Sequence, residues 1–126
     1  MKTKSAKAKG RRLQDLVAEV MQRHLNLGTH DVYKAAMSTP GTDIRIVFGP
    51  HVLSFECANQ EKLNLWAKWK QCQTNAQKDR ATPIMIVARN HTAPLAVVDV
   101  ELLGHLLWMW KEQTERLEND GAKVTS

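Results

Sequence analysis

Long apolar runs are missing from this chain. No stretch approaches the roughly 20 residues that a membrane-spanning helix needs, so no membrane segment is expected. The basic N-terminus is not followed by the apolar stretch of a secretory signal. Cysteine is scarce. Cys57 and Cys72 are too few for a disulfide framework, and both are expected to be buried thiols in a reducing cytoplasm. The histidines (His24, His30, His51, His91 and His105) show no paired ligand spacing, which argues against a zinc site. A phosphate-cradling glycine loop and a nucleophile elbow are both absent, against an NTPase and a serine hydrolase. No small-molecule cofactor is expected, and no internal repeat is visible.

What is present is ordinary in bulk and uneven in detail. The 126 residues suffice for one domain with a core but not two. Hydrophobic residues at 43% and charged residues at 25% fit a soluble globular protein. The net charge is +5, and the first twelve residues hold Lys2, Lys4, Lys7, Lys9, Arg11 and Arg12 with no acid. A basic arm beside a globular domain suits a polyanion such as DNA. It also suits a solubilising tail, and charge alone does not choose between them. The chain is expected to divide into a mobile arm over 1–10, one domain over 11–118 and a flexible tail over 119–126.

From Arg11 the pattern turns helical, with Leu13, Leu16, Val17 and Val20 on one face and an end near Gly28. Residues 31–37 are ambiguous between strand and loop. Ser38 to Thr42 is a turn by composition, and Ser38 and Thr39 are further candidates for phosphate contact. Two strands follow, 43–48 and 51–57, joined tightly through Gly49-Pro50. Residues 60–77 read as a helix with an inner stripe of Leu65, Trp69, Cys72 and Ala76 and its lysines elsewhere. Residues 83–88 form an apolar run expected of a strand covered on both faces. Residues 95–98 read as a strand and 100–117 as a helix. The order implies an α/β sandwich around a small mixed sheet. The last helix holds Leu102, Leu103, Leu106, Leu107, Trp108, Met109 and Trp110, too apolar for one stripe, which points to burial on more than one face and favours a second subunit.

Asp43 opens the first of the paired strands, and Glu56 lies near the end of the second, in Phe55-Glu56-Cys57-Ala58. Strand side chains alternate faces, so position 58 shares a face with Glu56. Phosphodiester hydrolysis needs an activated water and charge stabilisation on the phosphate, and a divalent metal held by converging oxygens supplies both. Asp43 and Glu56 could form such a pair, with the backbone carbonyl of Cys57 beside it. The alternative is a turn-capping Asp43 and a strand-edge Glu56. Glu19 sits at the rim of the first helix's apolar stripe, but it also stands four residues from Arg23, a routine surface pair.

The segments Gly10-Arg-Arg-Leu-Gln-Asp-Leu-Val-Ala-Glu19, Gly41-Thr-Asp43-Ile and Phe55-Glu56-Cys57-Ala58-Asn59-Gln60-Glu61-Lys-Leu-Asn64 resemble phage-encoded Holliday junction resolvases of the PD-(D/E)XK superfamily. The resemblance spans most of residues 10–100, though its motifs are short. It implies an αβββαβ core, a mixed sheet flanked by helices, a homodimer, Mg²⁺ or Mn²⁺, and paired nicks in four-way DNA. By position, Glu19 matches the family's helix acid, Asp43 and Glu56 its strand carboxylates, and Gln60 a phosphate or metal contact. Ala58 stands where the family has its catalytic lysine. The resemblance therefore implies a junction endonuclease disabled at position 58, with Ala58→Lys expected to meet an open site and switch cleavage on. A lysine relocated to a position such as Lys62 is one alternative, and a non-catalytic branched-DNA-binding or scaffolding protein is the rival reading.

Overall fold

A computed structural model of the protein describes the backbone of residues 2–36 and 40–125, and the side chains of residues 7–36 and 40–121. The first helix, α1 (Lys2–Leu25), begins at Lys2 rather than near Arg11. Lysine and alanine are good helix formers, and the one interruption, Gly10, costs only about 1 kcal/mol relative to alanine. α1 stops before Gly28, where Asn26 turns to φ +53° and ends the helical path. The ambiguous segment that follows contains a short strand, β1 (Val32–Lys34).

β2 (Ile44–Phe48) and β3 (His51–Asn59) form the expected hairpin. Gly49 takes φ +54° at the turn, a conformation glycine adopts without strain. α2 (Leu65–Lys78) starts five residues later than its apolar pattern predicts, because Asn64 caps it: Asn64 Oδ1 accepts from the Ala67 N–H at 3.1 Å. β4 (Thr82–Ala88) returns parallel to β3, and β5 (Leu95–Val97) pairs antiparallel to β4. α3 (Val100–Thr125) closes the chain, with Asp99 Oδ1 accepting from the Leu102 N–H at 2.7 Å.

The five strands form one mixed sheet in the order β1-β2-β3-β4-β5. α1 and α2 cover opposite faces of it. On the α1 face Leu13 and Val17 meet Ile44, Ile46, Phe55 and Ile86, an apolar cluster whose burial drives folding. On the α2 face β3 presents Ser54, Glu56 and Ala58, the opposite phase of the same alternation, and all three are buried. Polar groups inside one layer of a small domain need partners, and they are what draws attention to this face. Cys57 and Cys72 are free thiols, the first half-buried and the second buried. No described helix is long and apolar enough to cross a membrane. The apolar α3 departs from expectation in one respect: none of its side chains over 100–121 is buried.

Candidate active site

Strand register sets the two carboxylates together. Ile44 lies opposite Phe55, so one further residue along the ladder puts Asp43 opposite Glu56, and directly opposed side chains share a face. The Asp43 N–H donates to the Phe55 carbonyl at 3.1 Å, and the Asp43 carbonyl accepts from the Ala35 N–H at 2.8 Å. With its backbone fixed, Asp43 Oδ2 accepts from the Cys57 N–H at 2.8 Å. Glu56 is only 6% exposed. Its Oε1 accepts from Gln71 Nε2 and its Oε2 from Asn75 Nδ2, each at 3.3 Å. Asn75 Nδ2 also donates to the Gly41 carbonyl at 3.2 Å, which ties α2 to the loop leading into Asp43.

Burial raises the Asp43 carboxyl above its ordinary range, opposed by the Cys57 N–H and by the Lys68 ammonium. Glu56 is pushed up to about 7, first by burial and then by repulsion from Asp43, while Asn75 and Lys68 pull it back down. Two acids that resist ionising side by side are a place where a divalent cation gains energy, because it replaces their repulsion with attraction. The oxygen donors fit Mg²⁺ or Mn²⁺, which are commonly held by one or two carboxylates with water and phosphate completing the shell. Among the described residues no group of three His, Cys, Asp or Glu side chains could hold a metal, so the rest of the shell would come from such smaller ligands. Both thiols are raised by burial and by these acids, so they stay protonated and are poor nucleophiles.

The sequence-predicted residues separate. Asp43, Glu56 and the Cys57 backbone come together. Glu19 does not join them: it is exposed, since α1 turns Leu13, Gln14, Val17 and Ala18 inward. The polar α1 residue carried inside is Gln14, 5% exposed. It lines a groove with Arg11 and Ala35, and Ala35 is the residue whose N–H holds the Asp43 carbonyl. Ala58 shares the Glu56 face as expected but is 4% exposed, so position 58 lies in packed surroundings rather than an open site. Gln60 is exposed past the end of β3 and borders a separate groove with Glu61, Arg89 and Thr92. Lys62 is exposed. Lys7, Arg11 and Arg12 are exposed on α1 and Lys9 is half-exposed. The side chains of Lys2 and Lys4, and Ser38 and Thr39 entirely, lie outside the described residues.

Sequence reasoning missed Lys68, Gln71 and Asn75. At 100° per residue the three fall within an arc of about 60°, a polar stripe that the apolar stripe beside it overshadowed.

No protein-family model matches the sequence, and no curated protein matches it either. Among solved structures it is similar to Hjc from Archaeoglobus fulgidus, a Holliday junction resolvase from an archaeal hyperthermophile, with TM-score 0.51 and 16% identity over 71% of this chain and 76% of that one. The likeness is one of fold. The expected PD-(D/E)XK-like architecture, a mixed sheet flanked by helices, is therefore borne out. On this fold the Asp43–Glu56 pair sits at the β2–β3 boundary, facing α2.

Proposed function

We propose that the chain is a metal-dependent, structure-specific endodeoxyribonuclease that nicks four-way DNA junctions, acting as a homodimer with Mg²⁺ or Mn²⁺ in the cytoplasm. One observation carries the reading: opposed carboxylates, Asp43 and Glu56, anchored by backbone and amide donors on a fold shared with a junction resolvase.

In phosphodiester hydrolysis a water oxygen forms a bond to phosphorus, one ester P–O bond breaks, and the leaving oxygen gains a proton. A bound divalent ion makes water acidic and offsets charge on the phosphate. Asp43 and Glu56 would hold that ion, with the Cys57 carbonyl as a further oxygen donor. The Cys57 N–H and the Gln71 and Asn75 amides keep the carboxylate oxygens aimed. Gln60 would reach a neighbouring phosphate. Lys2, Lys4, Lys7, Lys9, Arg11 and Arg12 on α1, with Ser38 and Thr39, would contact the DNA backbone. Dimerisation through α3 supplies two sites related by a two-fold axis, as paired nicks require. It also covers the exposed Leu103, Leu106, Leu107, Trp108, Met109 and Trp110.

A second reading, a non-catalytic branched-DNA-binding protein on a nuclease-like fold, is favoured by Ala58, which puts no cation on β3. Calorimetric titration with Mn²⁺, beside cleavage assays on a synthetic four-way junction, separates the two. The nuclease reading expects Mn²⁺ binding that Asp43→Asn abolishes. Absence of binding in the unaltered protein would sink that reading and leave the second.

A further inference from the structure

α2 lies antiparallel along β3, and the two elements meet rung by rung. At one rung Thr42 Oγ1 bonds both Ser54 Oγ and Asp79 Oδ2, each at 2.7 Å, which brings the end of α2 to Ser54. At the next, Gln71 and Asn75 hold Glu56. Two strand residues advance about 6.6 Å and one helical turn about 5.4 Å, so each inward-facing strand position meets roughly the next turn of helix. Carried one rung further, the same spacing sets Ala58 opposite the turn that carries Lys68. Lys68 also shares the helix stripe of Gln71 and Asn75, and it is half-buried rather than splayed into solvent. Ala58 ends at its methyl group and is buried, so a larger side chain there would need space that its neighbours now fill.

Resting on the nuclease reading above, we propose that Lys68 is a catalytic residue: from α2, over the Ala58 methyl, its ammonium occupies the place a strand lysine would fill and contacts the scissile phosphate and attacking water. The chain is then competent as it stands, its cation having moved from strand to helix. A positive charge there is worth most in the transition state, where negative charge builds on the phosphate oxygens. The positive charge of the same ammonium also opposes the burial that raises both carboxyls.

Single-turnover cleavage of a four-way junction with Mg²⁺ tests this, run beside Mn²⁺ titration and junction-binding assays. The unaltered protein cuts. Lys68→Ala slows cutting by about 10² to 10⁴, the usual scale for losing a positioned catalytic group, and Lys68→Arg keeps part of the rate. Lys70→Ala, an exposed neighbour outside the stripe, leaves the rate unchanged. Mn²⁺ affinity separates a chemical from a structural role: deleting a cation beside two carboxylates leaves Mn²⁺ binding equal or tighter, whereas a collapsed site loses it. The proposal is overturned if Lys68→Ala cuts within threefold of the unaltered protein, or if it loses Mn²⁺ binding along with cleavage. It also falls if the unaltered protein binds Mn²⁺ and junctions but cuts nothing, an outcome that leaves the metal site standing. Failure to bind Mn²⁺ at all removes the nuclease reading itself.

Discussion

Asn75 Nδ2 donates to Glu56 Oε2 at 3.3 Å from the same nitrogen that holds the Gly41 carbonyl at 3.2 Å. One buried amide thus joins α2, β3 and the loop that positions Asp43. Asn75→Ala leaves a buried carboxyl and a carbonyl each short of a donor. A loss of about 1–3 kcal/mol is expected, read from urea unfolding, together with weaker Mn²⁺ binding. Unchanged stability would mean that water replaces the amide without cost.

Stability should fall as pH rises. Folded Glu56 keeps its proton up to about pH 7, whereas an unfolded glutamate releases it at about 4.3. Between those values the native state binds more protons than the unfolded one, so its stability declines with pH. Asp43 is raised too and adds in the same direction. Metal-free protein is expected to lose on the order of 2 kcal/mol between pH 5 and pH 8 from Glu56, and excess Mg²⁺ should flatten the trend. Glu56→Gln should raise the metal-free Tm at pH 8 while abolishing Mn²⁺ binding. Scanning calorimetry at the two pH values checks the sign.

Dimerisation through α3 predicts roughly twice the 14.3 kDa chain mass by light scattering at micromolar concentration. Leu106→Glu with Trp110→Glu should shift the protein to monomer without lowering the domain's own stability, because both side chains are already exposed in the single chain. A monomer before substitution rejects the interface.

Replacing Lys7, Lys9, Arg11 and Arg12 with alanine keeps α1 helical, since alanine is the best helix former. Junction affinity should then depend less steeply on salt. For each duplex phosphate no longer neutralised, the log–log slope should flatten by roughly 0.9. An unaltered slope would assign these side chains to solubility alone.

The carboxylate pair was legible because strands have a period of two: Asp43 and Glu56 follow from the hairpin and its tight turn. The place of Glu19 was not legible, because adjacent helix residues differ by only 100° and the sequence does not show how α1 rolls on the sheet. α2 followed its apolar stripe in part, burying Cys72 and Ala76. Its apolar positions promised that Leu65 and Trp69 would face inward, yet Leu65 is exposed and Trp69 half-exposed, while Asn75 is buried. The helix covers a polar layer, and polar side chains are drawn in where partners await them. The apolar excess of α3 was visible in the residues, but its lack of cover within one chain was not.

Asp43 and Glu56 stand thirteen positions apart on a single hairpin. The groups that steady them, at 68, 71 and 75, and the parallel strand ending at Ala88 come later in the chain. Synthesis from the N-terminus therefore presents the two acids with the Cys57 N–H that steadies Asp43, but before the α2 amides that hold Glu56. A nascent chain stopped after the hairpin has α1 to pack against its apolar face, but its polar face is still uncovered. The carboxylate pair therefore gains its full set of donors only after α2 and β4 have been made.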